Sequence, residues 1–194
     1  MQGKRIGILI AVLLLIATSG CAIVHHYGSY IGKVVDKETG KPIEGAAVLA
    51  VYYTREYTLS GSNLVHLDAQ DTLTDEDGDF KIPCLTSSTF RPLQSFQSRA
   101  YFTIFKPGYG NYPDHDDVGP IFTPNGTLPE NEYVVIELPK LKTLDERASN
   151  IPSLSHEIPF KKQKQLIQTI NQEHKNLGYG WYYEEKSFDK LRSR

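Results

Sequence analysis

The sequence is poor in cysteine and has no hydrophobic run long enough to cross a membrane as a helix. It contains two cysteines in 194 residues, so at most one disulfide bond can form and a small disulfide-stapled scaffold is excluded. The longest apolar run, Ile6 to Ala17, has about a dozen residues, whereas a helix needs roughly 20 to span the hydrocarbon core. A permanent transmembrane anchor is therefore the weaker interpretation.

The short motifs that carry catalytic chemistry are also absent. The chain has no Gly-x-Ser-x-Gly elbow, His-Glu-x-x-His helix, phosphate-cradling glycine loop or paired-cysteine set. A triad built from residues distant in sequence needs no such motif, so an enzyme stays open as the third alternative. We predict a protein that is not an enzyme and holds no cofactor.

Positive charge is scarce over most of the chain. Residues 22–138 carry 8 Lys and Arg against 16 Asp and Glu, whereas residues 139–194 carry 11 against 7. Binding to nucleic acid requires Lys and Arg to neutralise phosphates, so the acidic body predicts no nucleic-acid partner. The basic tail has three interpretations: approach to anionic lipid, packing on the acidic body, and a solvated charged face, which is the more common outcome.

The N-terminus has the organisation of a secretory signal, in which two basic residues and an apolar run precede small residues. These small residues, 18–20, end at Cys21 and resemble the lipobox of bacterial lipoproteins. That resemblance implies acylation of Cys21, with palmitate expected, and a lipid anchor in the bacterial cell envelope. The non-acidic Ala22 favours the outer membrane, facing the periplasm. The alternative is an ordinary signal peptide with Cys21 as a plain thiol.

The middle of the chain alternates strand-forming runs with turn residues. Tyr30 to Asp36 is followed by the turn segment DKETGKPIEG and by a long apolar and aromatic run, Ala46 to Tyr57. Next, NLVHLDAQDTLT, the acidic turn DEDG and DFKIP together predict a hairpin. RAYFTIF and EYVVIEL supply further strands. Because no helical period occurs among them, the pattern predicts a mainly β fold, an antiparallel β-sandwich.

Three motifs give this region a family resemblance. They are a first hairpin ending in Pro-x-x-Gly-Ala (GKVVDKETGKPIEGAAVLAV), a Thr-Asp-x-x-Gly-x-Phe turn (TLTDEDGDFKIPCL) and a Lys-x-Gly-Tyr strand end (FTIFKPGYG). Together they resemble the carboxypeptidase regulatory-like domain, a member of the transthyretin-like (prealbumin-like) group of β-sandwiches. The resemblance implies a passive module, because such domains accompany peptidases, transporters and surface proteins and the fold alone does not fix a function.

The sequence thus divides into a lipoprotein signal peptide (1–20), a tether (21–28), the sandwich (29–138) and a helical, aromatic-rich extension (139–194). In the extension, Thr143 and Glu146 predict a capping box for a short helix.

A longer amphipathic helix is predicted over residues 160–177, ending at Gly178. Its apolar stripe comprises Leu166, Ile167, Ile170, His174 and Leu177. Docking of this stripe against the sandwich is the simpler interpretation, and binding to a partner or a membrane surface is the alternative.

Two acidic segments are candidate metal sites, because hard cations prefer oxygen ligands and carboxylates beside a histidine suit a divalent metal. The favoured alternatives are a solvated turn and a solvated loop, since the first segment lacks the spacing of an EF-hand. The candidate ligands are Asp75, Asp77, Asp79, Asp114, His115 and Asp116.

The segment GYGWYYEEKSF near the C-terminus is rich in aromatic residues, which suit contacts with a protein partner or a glycan. The candidate contact residues are Tyr179, Trp181, Tyr182 and Tyr183. The alternative is burial against the sheet, since a small domain needs such apolar area.

Cys84 alternates with Phe80 and Ile82 in DFKIPCL, so we predict that it points into the core as a small apolar residue. A disulfide with Cys21 is the alternative if Cys21 is not acylated.

From these observations we expect a non-catalytic, lipid-anchored envelope protein that acts as an interaction or scaffolding module, with an envelope protein or a glycan as its partner. A carbohydrate-binding module at the cell envelope is the alternative.

Overall fold

Strands dominate the folded part of the chain, and helices follow them. The computed structural model describes residues 23–89, 94–123 and 126–192. The strands are β1 (Ile23–Tyr27), β2 (Tyr30–Asp36), β3 (Ala47–Thr58), β4 (Gly61–Leu73), β5 (Asp79–Ile82), β6 (Leu85–Thr89), β7 (Gln94–Phe96), β8 (Tyr101–Phe105) and β9 (Tyr133–Leu138). The helices are α1 (Leu144–Ser149), a 3₁₀ turn (Phe160–Gln163), α2 (Lys164–Asn176) and α3 (Glu185–Arg192). A mainly β fold with a C-terminal amphipathic helix is thereby confirmed.

The strands form two main sheets and a small ribbon. In one sheet β2 lies between β5 and β9, and in the other β3 pairs with β4 on one side and with β7 and β8 on the other. β1 pairs with β6 in a two-stranded ribbon. The predicted antiparallel pairing is found in both sheets and in the ribbon, and β2 and β9 depart from it by running parallel. The long segment between β8 and β9 lets β9 begin at the same end of the sheet as β2.

Neither of the two turns predicted to close a hairpin joins paired strands. β2 and β3 lie in different sheets, and so do β4 and β5. After β2 the chain folds back through one bridge, Val35 to Pro42, and then Gly45, with φ of 66°, turns toward the other sheet. Turn residues thus mark where the chain changes direction, but packing decides which strand it then joins.

One hydrophobic core fills the space between the two main sheets. Inward side chains of β3 and β8 meet those of the sheet that contains β2. Burying such a side chain stabilises the fold by roughly 1.5–3 kcal/mol, so this interface holds the layers together. Its residues include Val34, Val48, Ala50, Tyr52, Ile82, Phe102, Ile104, Val134, Ile136 and Leu138.

The C-terminal extension covers the outer face of β3 and forms a second core. Ala47, Leu49 and Val51 alternate with the inward residues of β3 and pack with Leu166 and Ile170 of α2. β3 is therefore buried on both faces over this half, which explains its unbroken apolar run. The predicted docking of the amphipathic helix against the sheet is confirmed.

The local helix signals are largely correct. α1 has the predicted capping box between Thr143 and Glu146. The longer helix differs at its start, where Pro159 precedes a 3₁₀ turn before α2 begins at Lys164. Gly178, with φ of 78°, follows its C-terminus as predicted.

Two further expectations are wrong. Cys84 is exposed, because β5 ends at Ile82 and the alternation does not continue through Pro83. Residues 23–27, which were predicted to belong to a tether, form β1 instead. Cys21 itself lies outside the described residues.

Within residues 23–89, 94–123 and 126–192, no helix has both the length and the apolar character required to cross a membrane.

Candidate binding surface in the C-terminal extension

The aromatic segment 179–183 runs back along α2 and is fixed at both ends. Gly178 reverses the chain, after which the Tyr179 N–H donates to the His174 carbonyl at 2.8 Å. At the other end, the Tyr183 N–H donates to Asn171 Oδ1 at 2.8 Å, and Asn171 Nδ2 donates to the Tyr183 carbonyl at 2.9 Å. The backbone that carries the aromatic side chains is therefore held in one position.

His174 lies beneath these rings and is 2% exposed. Its ring centroid is 5.4 Å from that of Tyr179, 4.2 Å from that of Trp181 and 5.8 Å from that of Tyr183. Burial lowers the pKa of His174, although a hydrogen bond to the Trp181 backbone and the charge of Glu173 oppose this. The imidazole is therefore neutral at pH 7, and its Nδ1 has no hydrogen-bond partner among the described residues.

Of the four predicted contact residues, two are exposed, and Tyr179 and Tyr183 are partly buried. Trp181 and Tyr182 are 53% and 47% exposed. Tyr183 packs against the second core, and its ring also meets that of the buried Phe188. Burial thus accounts for Tyr183, whereas Trp181 and Tyr182 present large aromatic faces to solvent.

Tyr179 and Trp181 have nearly parallel rings. Their planes differ by 5° and their centroids are 6.2 Å apart. Because His174 supports the ring of Trp181 from below, this pair has a fixed orientation. Parallel aromatic faces suit flat apolar ligands and the apolar faces of sugars, as well as protein side chains.

An ion pair that the sequence did not reveal fixes the same region to the rest of the protein. Glu173 is 1% exposed, and its carboxylate accepts from Arg147 Nε at 2.8 Å and Arg147 Nη2 at 2.6 Å. It also accepts from the Gly108 N–H at 3.2 Å and from Asn176 Nδ2 at 3.1 Å. Glu173 thus joins α1, α2 and the turn after β8. In the sequence, only its position beside the apolar stripe of the helix indicated that it is buried.

Two of the three carboxylates of the first candidate metal site, those of Asp75 and Asp79, accept hydrogen bonds within the protein. Asp75 Oδ1 accepts from the N–H groups of Asp77 and Asp79 at 3.1 and 2.8 Å. Asp79 Oδ1 accepts a short hydrogen bond from the Tyr133 hydroxyl. This arrangement is that of an acidic turn stabilised by its own side chain.

The second candidate site is a loop in which Asp114 and Asp116 are exposed. His115 packs against Gly110, and its Nδ1 accepts from the Asp117 N–H at 3.1 Å. Across the described residues, no three His, Cys, Asp or Glu side chains come together as a metal site would require. Metal binding at either segment stays a prediction without a ligand cluster to support it.

A groove of about 380 Å³ lies where the 3₁₀ turn meets β4 and β5, and Lys81, Lys161 and Lys162 line it. Lys162 Nζ is 2.9 Å from Asp68 Oδ1, and Lys161 Nζ is 3.9 Å from Glu185 Oε1. The contact between Lys162 and Asp68 joins the basic extension to the acidic body. Packing on the body therefore has direct support, and approach of the tail to anionic lipid stays a prediction.

Comparisons with known proteins add little. No protein-family model matches the chain, and no curated protein matches it either. Among solved structures, the chain is similar to a streptococcal ancillary pilin, with 12% sequence identity and a TM-score of 0.26. The similarity covers 60% of this chain and 30% of the pilin chain. A likeness this slight supports no argument about fold, partner or activity, and the carboxypeptidase regulatory-like resemblance stays a prediction.

Proposed function

We propose that this protein is a non-catalytic, lipid-anchored protein of the bacterial cell envelope that binds a partner protein through its C-terminal extension. In this proposal its strands form a transthyretin-like sandwich of the carboxypeptidase regulatory-like kind, which serves as a scaffold. Acyl chains on Cys21 hold it to the outer membrane, facing the periplasm.

The exposed pair Trp181 and Tyr182 is the observation that carries the proposed interaction role. Each side chain is about half exposed, yet the backbone between them is fixed by α2 and by the Asn171 bonds. Interfaces favour Tyr and Trp, and an aromatic residue that is already ordered loses less entropy on binding. Exposed aromatics on a fixed backbone are therefore suited to act as anchors for a partner.

The lipid anchor is supported by the sequence around Cys21. Acyl chains contribute about 0.8 kcal/mol per buried CH₂, so several chains give stable attachment. Mass spectrometry of the mature N-terminus tests this directly. An acylated Cys21 as the first residue is expected, and an unmodified Cys21 or cleavage elsewhere would refute the anchor.

The interaction role is tested by placing a photocrosslinking amino acid at position 182 in intact cells. We expect a discrete adduct with one envelope protein, and the double variant Trp181→Ser/Tyr182→Ser should lose that partner in pull-down. Tyr133, which is 56% exposed on β9, provides the matched control position. Equal crosslinking at 133 and 182, or none at 182, would contradict a binding role for the extension.

A carbohydrate-binding module is the second candidate, and the near-parallel rings of Tyr179 and Trp181 favour it. Pull-down with purified peptidoglycan and with lipopolysaccharide tests this alternative. Binding that is lost in Trp181→Ala but kept in Tyr133→Ala would replace the protein partner by a glycan. Failure to bind either material leaves the protein partner as the better proposal.

A further inference from the structure

The hairpin formed by β3 and β4 extends well beyond the layers that cover the rest of these strands. β3 and β4 stay paired as far as Thr58 and Gly61, whereas β8 pairs with β3 only as far as Val51 and the short β7 only from Thr54 to Glu56. At about 3.3 Å per residue, the strand advances roughly 20 Å from Tyr52 to Thr58. The far part of the hairpin, residues 54–66, is called the projecting hairpin below.

β1 runs beside the projecting hairpin toward the same end of the protein. The ring of Tyr27 is 4.6 Å from that of Tyr52, and the ring of His25 is stacked 5.3 Å from that of Phe96. Phe96 in turn lies opposite Thr54 in the sheet. Moving from residue 27 back toward residue 23 therefore leads in the same direction as moving from residue 52 toward the hairpin tip.

The chain from Tyr27 back to Cys21 is also about as long as the strand from Tyr52 to the hairpin tip. Four residues separate Tyr27 from Ile23, or roughly 13 Å of strand. Cys21 is two residues further, within about 7 Å of extended chain. The candidate acylation site therefore lies within reach of the level of the hairpin tip.

The projecting hairpin and the strands beside it have very little charge, and the nearest carboxylate at this end, Glu130, accepts from the Tyr30 hydroxyl at the start of β2. Residues 57–67 contain no Asp, Glu, Lys or Arg, and neither do β1, β6 and β7. Arg55 and Glu56 are the only such residues of the projecting hairpin, and Arg55 Nη1 donates to Ser62 Oγ at 2.9 Å. Residues 90–93, which include Arg91, lie outside the described residues. In a chain with 23% charged residues, a neutral end of this size is a distinct surface.

The projecting hairpin carries exposed apolar side chains at its tip. Leu59 is fully exposed, and Tyr57 and Leu64 are 48% and 40% exposed. Hydroxyl and amide groups from Ser, Thr and Asn accompany them. Neutral polar groups mixed with Leu and Tyr suit the boundary between the headgroups and the acyl chains of a bilayer, where the apolar side chains can be buried and the polar groups stay hydrated.

The opposite end is acidic. Gly78 of the DEDG turn lies against Val34, and its carbonyl accepts from the Val34 N–H at 2.9 Å. This places Asp75, Glu76 and Asp77 near the last residues of β2, far from Tyr30 and the hairpin. Anionic lipid repels the acidic end and leaves the neutral end unaffected, which favours one orientation on a membrane.

From this placement we propose that the tip of the projecting hairpin lies in the headgroup region of the leaflet that holds the acyl chains of Cys21, with Leu59 inserted deepest. The partner of this surface is thus the lipid bilayer. The proposal rests on the lipid anchor proposed above and adds a second membrane contact, which fixes the orientation of the protein and turns the acidic end away from the membrane.

Tryptophan quenching by brominated lipids tests the orientation on the full-length acylated protein. The protein is placed in vesicles of phosphatidylethanolamine and phosphatidylglycerol with brominated acyl chains. Leu59→Trp and Leu73→Trp are compared, each with Trp181→Phe so that it has one tryptophan. Leu73 is 41% exposed at the other end of β4, so it is a matched control. We expect the fluorescence of the tryptophan at position 59 to be quenched several-fold more strongly than that of the tryptophan at position 73, and its emission to be blue-shifted.

The outcomes separate this proposal from the anchor. Equal or absent quenching at position 59, in protein that stays bound to vesicles and acylated on Cys21, would overturn the hairpin contact and leave the anchor intact. Protein without acyl chains on Cys21 would overturn both. Preferential quenching at position 59 that persists in the Tyr182→Ser background would support a contact independent of the C-terminal surface.

Discussion

The two ends of the paired strands β3 and β4 differ in how they are covered. Near Ala47, β3 is buried on both faces, with the core on one side and α2 on the other. Near Thr58 the same strand is exposed. Strand pairing alone thus does not determine burial. The acidic end is covered by the core on one face and by α2 on the other. The neutral end consists of the hairpin and the short strands β1, β6 and β7, and it is free to contact another surface.

This comparison predicts that substitutions at the acidic end cost stability and that substitutions at the hairpin tip do not.

Replacing Gly78 by Ala should have the largest effect. Gly78 has φ of 76°, and an added Cβ would lie 2.6 Å from the Val34 carbonyl oxygen, which is backbone and cannot move aside. We expect a loss of about 3 kcal/mol in the free energy of unfolding. Gly40→Ala is the matched control, because Gly40 has φ of 68° with no atom within 4 Å of the added Cβ. It should cost only about 1 kcal/mol, and equal losses in urea unfolding would show that the contact is not tight.

Replacing Glu173 by Gln should have the next largest effect. Removing the charge leaves Arg147 without its bidentate partner and weakens the junction of α1, α2 and the turn after β8. We expect a loss of about 2 kcal/mol and faster proteolysis within residues 139–192. Glu185→Gln is the control, because Glu185 is half exposed and 3.9 Å from Lys161, and it should cost less than about 0.5 kcal/mol. If the two variants melt alike, Glu173 does not hold the extension.

His174 should make stability depend on pH in the mildly acid range. Its pKa is lowered from 6.5 by burial, so the unfolded chain takes up a proton more readily than the folded protein. Stability is therefore complete above pH 6.5 and falls as the pH decreases through the lowered pKa. Melting temperatures between pH 7.5 and pH 5 measure this, and His174→Phe should flatten that part of the profile. An unchanged profile in His174→Phe would assign the effect to other groups.

Replacing Leu59 by Ser should have the smallest effect on stability. The side chain is fully exposed, so the free energy of unfolding should change by less than about 0.5 kcal/mol. A larger loss in urea unfolding would mean that the hairpin tip contributes to the fold, and the contrast between the two ends would then be weaker than described.

Several local elements could be predicted from the sequence because the residues that define them are close together in the chain. The capping box of α1 needs only Thr143 and Glu146, and the stripe of α2 needs only its own period. Both were correct. The burial of Cys84 was predicted by extending an alternation past Pro83, where the strand had already ended, so the period no longer applied.

The candidate binding surface was only partly predictable. The aromatic segment was visible, but separating the exposed Trp181 and Tyr182 from the packed Tyr183 required the return of the chain along α2. His174 was assigned to the apolar stripe, and its contacts with the rings of the following segment were not expected. Glu173 gave almost no signal, because its partners come from α1 and from the turn after β8.

The composition of each strand, the positions of the turns and the separation of an acidic body from a basic extension can be read from the sequence, since they follow from local periodicity and charge. Three features became visible only in the folded protein: the two early turns pass between sheets, β9 joins β2 in parallel, and β1 and the projecting hairpin point the same way. These features depend on which apolar faces meet, and that choice is made by packing between residues far apart in the chain.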